Sequence, residues 1–325
     1  MWPRIAAITA KIEQPSFAPR LQLRRVDGIL LLDKPLGLSS NAALQQAKRL
    51  FRAQKAGHTG SLDPLATGLL PICFGEATKL SAFLLESDKR YRVAARLGLQ
   101  TDTGDAEGKP IAQMAVPPLA AAQVEAMFRR HLGPQQQRPP MYSALKHQGQ
   151  RLYALARQGI EVERAARPIV IHEMNLLGLS ADTLEFEVRS SKGTYVRTLV
   201  EDLAQALGTC AHVSALRRLA TGHFSEPMYS LEQLTERGAS GNEALDRCLL
   251  PVSSAVQGWP QLVLDRDSAF YLGRGQAVRL AQAPASGSVA LFNQEQRLLG
   301  IGRVLEDGRV APQRLLNLPA ELTEN

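Results

Sequence analysis

Residues 58–79 read HTGSLDPLATGLLPICFGEATK, and the two halves of this stretch ask for different structures. From Gly57 to Gly68 the chain holds three glycines, a proline and two threonines, the composition of a loop. Leu69–Phe74 is a short apolar run that fits a buried strand, and Ala77, Leu80, Phe83 and Leu84 then fall at helical spacing. Asp63 stands in the loop, and Pro64 after it pushes its backbone away from the right-handed helical region. A carboxylate fixed on a loop between buried elements is where a nucleophile or an acid–base group would sit. An isolated Asp-Pro more often only starts a turn, so the rest of the chain has to decide.

Upstream, GILLLD at 28–33 reads as a buried strand ending at Lys34-Pro35. Ser39 or Ser40 then caps a helix whose apolar face includes Ala43, Leu44, Ala47, Leu50 and Phe51. Downstream, Tyr91, Val93, Ala95 and Leu97 alternate with Arg92, Ala94 and Arg96, the pattern of a half-buried strand. Val124, Met127, Phe128 and Leu132 recur at helical spacing, and Leu184, Phe186 and Val188 mark another strand. Tyr195 and Arg197 read as its continuation, two residues apart and so on one face, before a helix over Leu199–Leu207. The stretch 236–260, rich in Gly, Ser, Ala and Pro, is the expected domain boundary. Beyond it, short strands at Gln261–Asp265, Ala277–Leu280, Ser288–Asn293 and Arg297–Val304, with an Asp307-Gly308 turn, describe a small all-β module.

A chain of 325 residues allows two domains, and 45% hydrophobic with 21% charged residues is globular composition. The formal net charge of +7 suits a polyanionic partner without requiring one. Much of the excess is local: between 138 and 167, Arg138, Lys146, Arg151, Arg157, Arg164 and Arg167 are opposed only by Glu161 and Glu163, with Tyr142 and Tyr153 interleaved. Cys73, Cys210 and Cys248 lack the spacing of a zinc or redox motif, which points to a reducing compartment. Residues 1–26 read as an extension and not a secretory signal, and no apolar stretch approaches the length of a bilayer span. The expected location is the cytoplasm, with no membrane partner.

The stretch quoted first, preceded by GILLLDKPLGLSSN at 28–41, resembles the TruB family of tRNA pseudouridine synthases, enzymes named for tRNA pseudouridine-55. In the same order, DKRYRVAARLGLQTDTGDAEG (88–108), the basic segment RPPMYSALKHQGQRLYALARQGIEVERAARPI (138–169), SSKGTYVRTLVEDLAQALG (190–208) and AHVSALRRL (211–219) resemble that family too. GRVAPQRLL (308–316), in its small β module, looks like the family's PUA domain. Several long motifs in register are far more specific than any one of them.

The resemblance implies an α+β fold, with a mixed, largely antiparallel catalytic sheet surrounded by helices and a small C-terminal β-barrel-like PUA domain. It implies a catalytic domain over 27–257, with 138–167 as an RNA-clamping insertion, and the PUA-like domain over 258–325. Asp63 would be the catalytic aspartate and Arg197 the guanidinium that keeps it ionised. Tyr91 would stack on the extruded uracil and assist proton removal, with Tyr195 and Leu216 in the same pocket and His58 entering the RNA loop to hold it open. The partner would be the T-arm of tRNA and the protein a monomer. Breaking a glycosidic N–C bond and remaking it as C–C transfers no electrons and no external group. Accordingly no metal and no other cofactor is expected, and the chain carries no Walker loop, HExxH or Cys/His cluster.

Overall fold

The computed structural model describes residues 22–317, and the greater part of the expected N-terminal extension lies outside them. Its larger sheet has eight strands. Seven run in the order Gly28–Lys34, Ala66–Phe74, Ala211–Thr221, Lys89–Leu97, Thr183–Ser190, Arg167–Leu179 and Gly133–Gln137, and Ala56–His58 also pairs with Ala66–Phe74. Every pairing is antiparallel except the parallel one between Ala66–Phe74 and Ala211–Thr221. The fold is therefore α+β with a mostly antiparallel sheet.

Alternation sets which side chains face inward. In Lys89–Leu97 every odd position is buried while Arg92 and Arg96 are exposed, and Leu184, Phe186 and Val188 do the same one strand away. These residues form one core with Val124, Met127 and Phe128 of the helix Ala121–Arg130 and with Leu199, Val200 and Leu203 of the helix Val196–Ala206. The Ala66–Phe74 strand is covered on both faces, so it reads as a continuous apolar run. Leu70, Ile72 and Phe74 pack against Ala43, Ala47 and Phe51 at the helix Ser40–Leu50. Leu69 and Cys73 pack on the opposite side.

That opposite side is where the C-terminal module docks. Its five strands run in the order Gln261–Val263, Gly287–Phe292, Leu298–Val304, Arg309–Leu315 and Val278–Arg279. Ala290, Phe292, Leu298 and Ile301 share a core with Ile29, Leu69, Ala77 and Leu80. Full burial of a large apolar side chain is worth roughly 1.5–3 kcal/mol, so this shared core joins the modules firmly. The stretch 236–260 carries the helix Asn242–Asp246 and the turn Val252–Val256, and Leu245 and Cys248 are buried against the Ser40–Leu50 helix.

The structure corrects two local expectations. Tyr195 and Arg197 do not continue a strand: the sheet ends at Ser190, and Tyr195 is the extended residue that caps the helix Val196–Ala206. Val196, Leu199, Val200 and Leu203 are buried at helical spacing, and that apolar stripe overrides the two-residue periodicity. The C-terminal module is not all-β either. It includes the helix Arg266–Gly273, started by Asp265, whose Oδ1 accepts the Ser268 N–H at 2.7 Å.

One glycine is demanded by the sheet. Gly68 has φ +95°, and a Cβ there would lie 2.3 Å from the carbonyl oxygen of Arg218 on the neighbouring strand. Gly133 also has a positive φ (+90°), but it has open space around it. Gly133→Ala should cost about 1 kcal/mol, the price of a left-handed backbone alone. Gly68→Ala should cost about 3 kcal/mol or more, because the clash adds to the strain. Denaturant melts of both variants check this, and equal losses would show that the strands can separate to admit a methyl group.

Candidate active site

The loop from Thr59 to Leu65 is held from four directions. Ser40 Oγ accepts the Leu62 N–H at 2.7 Å and donates to the Leu62 carbonyl at 2.9 Å. Gly37 N–H donates to Pro64 O at 2.9 Å, and Ala66 N–H to Asp63 O at 3.0 Å. Ser39, the residue that caps the Ser40–Leu50 helix, leaves Ser40 free for this task. Lys34 is fully buried below, donating to Pro35 O at 2.8 Å, Leu38 O at 2.6 Å and Pro64 O at 3.4 Å. Burial lowers its pKa to about 8, against the opposing pull of the Asp63 charge. A backbone this constrained fixes where the Asp63 carboxylate sits.

Arg197 meets that carboxylate from the first turn of its helix. Its Nε lies 3.0 Å from Asp63 Oδ2. Nη1 donates to Thr103 O and Nη2 to Tyr142 O, each at 2.7 Å. A second carboxylate, Asp105, approaches the same Nε at 3.8 Å. Asp105 is buried and oriented by Thr103 Oγ1, which donates to its Oδ1 at 2.6 Å, and by the Glu107 N–H at 3.1 Å. Sequence reasoning passed over Asp105: the only signal was a Thr-x-Asp turn in TDTGDAEG, which many surface turns share.

Burial raises the pKa of Asp63, Arg197 pulls it down and Asp105 pushes it up, and the net direction is upward. The carboxylate is enclosed on most sides, yet 43% of the side chain's surface remains open. It opens into a cavity of about 300 Å³ lined by Asp63, Tyr91, Tyr195, Arg197 and Leu216. Tyr91 and Leu216 come from adjacent strands, each buried on the face that forms the cavity floor. Tyr195 is clamped by Gln137, whose side chain accepts its N–H at 2.8 Å and donates to its carbonyl at 3.1 Å. Burial raises the pKa of the Tyr195 hydroxyl.

Five of the six expected site residues thus share one cavity. His58 does not line it. His58 ends the Ala56–His58 strand, half-buried, with Nδ1 buried and unpartnered, and its pKa is lowered first by burial and then by the Arg218 charge. The basic segment reaches the site only at its start, where Ser143 and Ala144 join the lining and the Tyr142 carbonyl holds Arg197. Farther along, Arg157 stacks over Tyr153 at 5.7 Å. A larger concavity of about 540 Å³ lies beside the cavity. It shares Lys89 with the cavity, and Arg189 and Asp88 of its lining pair with each other at 3.1 Å.

This geometry gives opposite signs for two substitutions. Asp63 should titrate above the usual aspartate value of about 3.9. Arg197→Gln should raise the midpoint further by removing the counter-charge, and Asp105→Asn should lower it by removing a like charge. Carboxyl-carbon NMR of Asp63 reads all three, and the reverse order in the two variants would refute the arrangement.

Comparison with known proteins places this geometry in a family. Residues 48–196 match the profile described as TruB family pseudouridylate synthase (N terminal domain). Residues 197–257 match the tRNA pseudouridylate synthase B C-terminal domain, and 260–316 match Pseudouridine synthase II TruB, C-terminal. The protein named tRNA pseudouridine synthase B from Nitrosococcus oceani is 55% identical over 298 residues, covering 91% of this chain and 97% of the relative. Its namesake from Coxiella burnetii is 52% identical over 300 residues, covering 92% and 97%. Among solved structures, one titled Crystal Structure of a Cbf5-Nop10-Gar1 Complex superposes with a TM-score of 0.71 at 23% identity, covering 89% of this chain and 84% of that one; at that identity it supports the fold alone. A sheet that sets Tyr91 and Leu216 beside the ion pair of buried Arg197 with Asp63 thus belongs to a chain more than half identical to those relatives along nearly its whole length, and the protein is a member of the TruB family of pseudouridine synthases.

Proposed function

We propose that the protein isomerises uridine to pseudouridine in the T-loop of tRNA, at position 55, with Asp63 as the nucleophile acting on a flipped-out uridine. The observation that carries this reading is the Asp63 carboxylate, 3.0 Å from Arg197 and open to a cavity walled by Tyr91 and Leu216. The reaction breaks the bond between ribose C1′ and uracil N1, joins C1′ to C5, and takes the proton from C5 while the freed N1 gains one. Atoms and electrons balance within the nucleotide, so the protein has to supply a nucleophile, a surface for the detached ring and a route for one proton. An ionised Asp63 supplies the first by attack at the ribose, much as a carboxylate does in retaining glycosidases, or by addition to the base ring. Both routes need the charge that Arg197 stabilises.

Tyr91 supplies the surface. A base drawn from its helix loses stacking, and an aromatic face returns about 1–3 kcal/mol of it. The tRNA substrate is supported by the named relatives and by the basic segment 138–167. The C-terminal module would meet RNA farther from the target loop, toward the acceptor end. A nucleic-acid glycosylase would use a similar pocket, but it would release free uracil.

Incubation with unmodified tRNA transcript, followed by chemical mapping and assay for free base, tests the reading directly. The expected result is pseudouridine in the T-loop with no uracil released. Asp63→Asn keeps the shape and loses the charge, so tRNA affinity should change little while turnover disappears. Turnover within about tenfold of the parent protein would rule out nucleophilic attack by Asp63.

A second prediction separates the two parts of Tyr91. Tyr91→Phe keeps the ring and should melt close to the parent protein, yet lose roughly 10²-fold or more in single-turnover rate if the hydroxyl assists proton transfer. Tyr91→Ala should be slower still. A Phe variant as fast as the parent would reduce Tyr91 to a stacking surface.

A further inference from the structure

The cavity floor contains two cations that the chemistry at Asp63 does not use. Lys89 and Tyr91 alternate onto the buried face of one strand, and Leu216 and Arg218 onto that of the next, with Arg218 directly opposite Tyr91. All four line the same cavity as Asp63. Arg218 is 1% exposed and Lys89 8%.

Among the described residues, each of the two is held only by main-chain carbonyls. Arg218 Nε donates to Leu69 O at 2.7 Å and Nη2 to Gly60 O at 3.1 Å. Lys89 Nζ donates to Leu85 O and Ser87 O, both at 2.6 Å. The nearest acids are engaged elsewhere: Asp88 pairs with Arg189 and His172, and Glu86 with Lys192. Two neighbouring buried charges of one sign, neither with a carboxylate in hydrogen-bond contact among the described residues, are costly. Burial first, and then the Arg218 charge, lower the Lys89 pKa to about 8 against the opposing pull of Glu86 and Asp88.

An arrangement of this kind is relieved by an anion. A guanidinium whose Nε and Nη2 hold carbonyls, beside an ammonium in the same lining, suits a phosphodiester, which each can contact by a charge-assisted hydrogen bond. The substrate carries such groups with it, because a nucleotide swung out of its stack into the cavity brings its flanking phosphates to the cavity lining. Resting on the functional reading above, we propose that Lys89 and Arg218 form a phosphate subsite for one of the two phosphodiesters flanking the flipped uridine. Arg218 also touches the catalytic loop through the Gly60 carbonyl, so the same guanidinium couples seating of that phosphate to the position of the loop that carries Asp63.

The test crosses protein and RNA substitutions. Three T-arm stem-loops are compared: one unmodified, one with a neutral methylphosphonate 5′ to the target uridine, and one with it 3′. For the parent protein, one of the two replacements should lower single-turnover kcat/KM by about tenfold or more, the usual worth of a charge-assisted hydrogen bond. In Lys89→Met that same replacement should cost no more than about twofold, because its partner is already gone. Lys89→Arg, which keeps the charge, should retain the large effect. Arg218→Gln is expected to behave like Lys89→Met, and should its buried site fail to fold, the Lys89 pair still decides the matter. Penalties that multiply independently at both positions would overturn the subsite and leave both cations as struts for the loop. Failure of the parent protein to convert the unmodified stem-loop would instead overturn the functional reading on which the subsite rests.

Discussion

Arg197 brings a full positive charge into a position that water scarcely reaches, and the segments around it are arranged to make that tolerable. An ion taken out of water costs several kcal/mol unless partners replace its hydration. Here they come from separate places in the chain: Asp63 on one loop, Thr103 and Asp105 on a turn, and Tyr142 at the start of the basic segment. Because one planar group meets both carboxylates at Nε, Thr103 at Nη1 and Tyr142 at Nη2, the guanidinium fixes their mutual positions. A lysine could meet the charge requirement but not this geometry. The buried arginine thus organises the site, and the two carboxylates beside it follow from the need to balance it.

The sheet does the complementary work. Parallel pairing of Ala66–Phe74 with Ala211–Thr221, and antiparallel pairing of the latter with Lys89–Leu97, bring Leu216, Arg218, Tyr91 and Lys89 onto one face. A register slip of one residue would turn all of them away. Gly68 allows the central strands to approach, and its carbonyl-crowded position shows how little slack the register has. The apolar core beneath therefore does more than stabilise the fold: it determines which side chains form the floor of the cavity.

What could be read from the sequence follows from this division. Strands with one buried face announce themselves by alternation, so Lys89–Leu97 and Thr183–Ser190 were legible, as was the Asp63 loop with its glycines and proline. Tyr195–Arg197 was not, because three residues are too few to distinguish a two-residue period from the entry to a helix. The Arg266–Gly273 helix was obscured for a related reason: only Leu272 in it is buried, so it has almost no apolar stripe. Asp105 was hidden because a buried acid and a surface turn are written in the same letters, and only the fold brings it to within 3.8 Å of Arg197. Lys34 and Arg218 were missed by the rule that charged residues lie outside, which fails where carbonyls of a tight loop replace water.

The charges of the cavity are unevenly divided, and the division has a direction. Near Arg197 two carboxylates answer one cation, whereas at Lys89 and Arg218 two cations have only carbonyl acceptors. One end of the floor is thus suited to act on a neutral base and sugar, and the other to receive a negative group. Tyr91 and Leu216 line the same cavity and offer surface without charge. A nucleotide has the same order of parts, from ring through sugar to phosphate. On the proposed function, that order would place the sugar and ring edge over Asp63 before any bond breaks. Placing reacting atoms beforehand is among the largest contributions a protein can make to a rate.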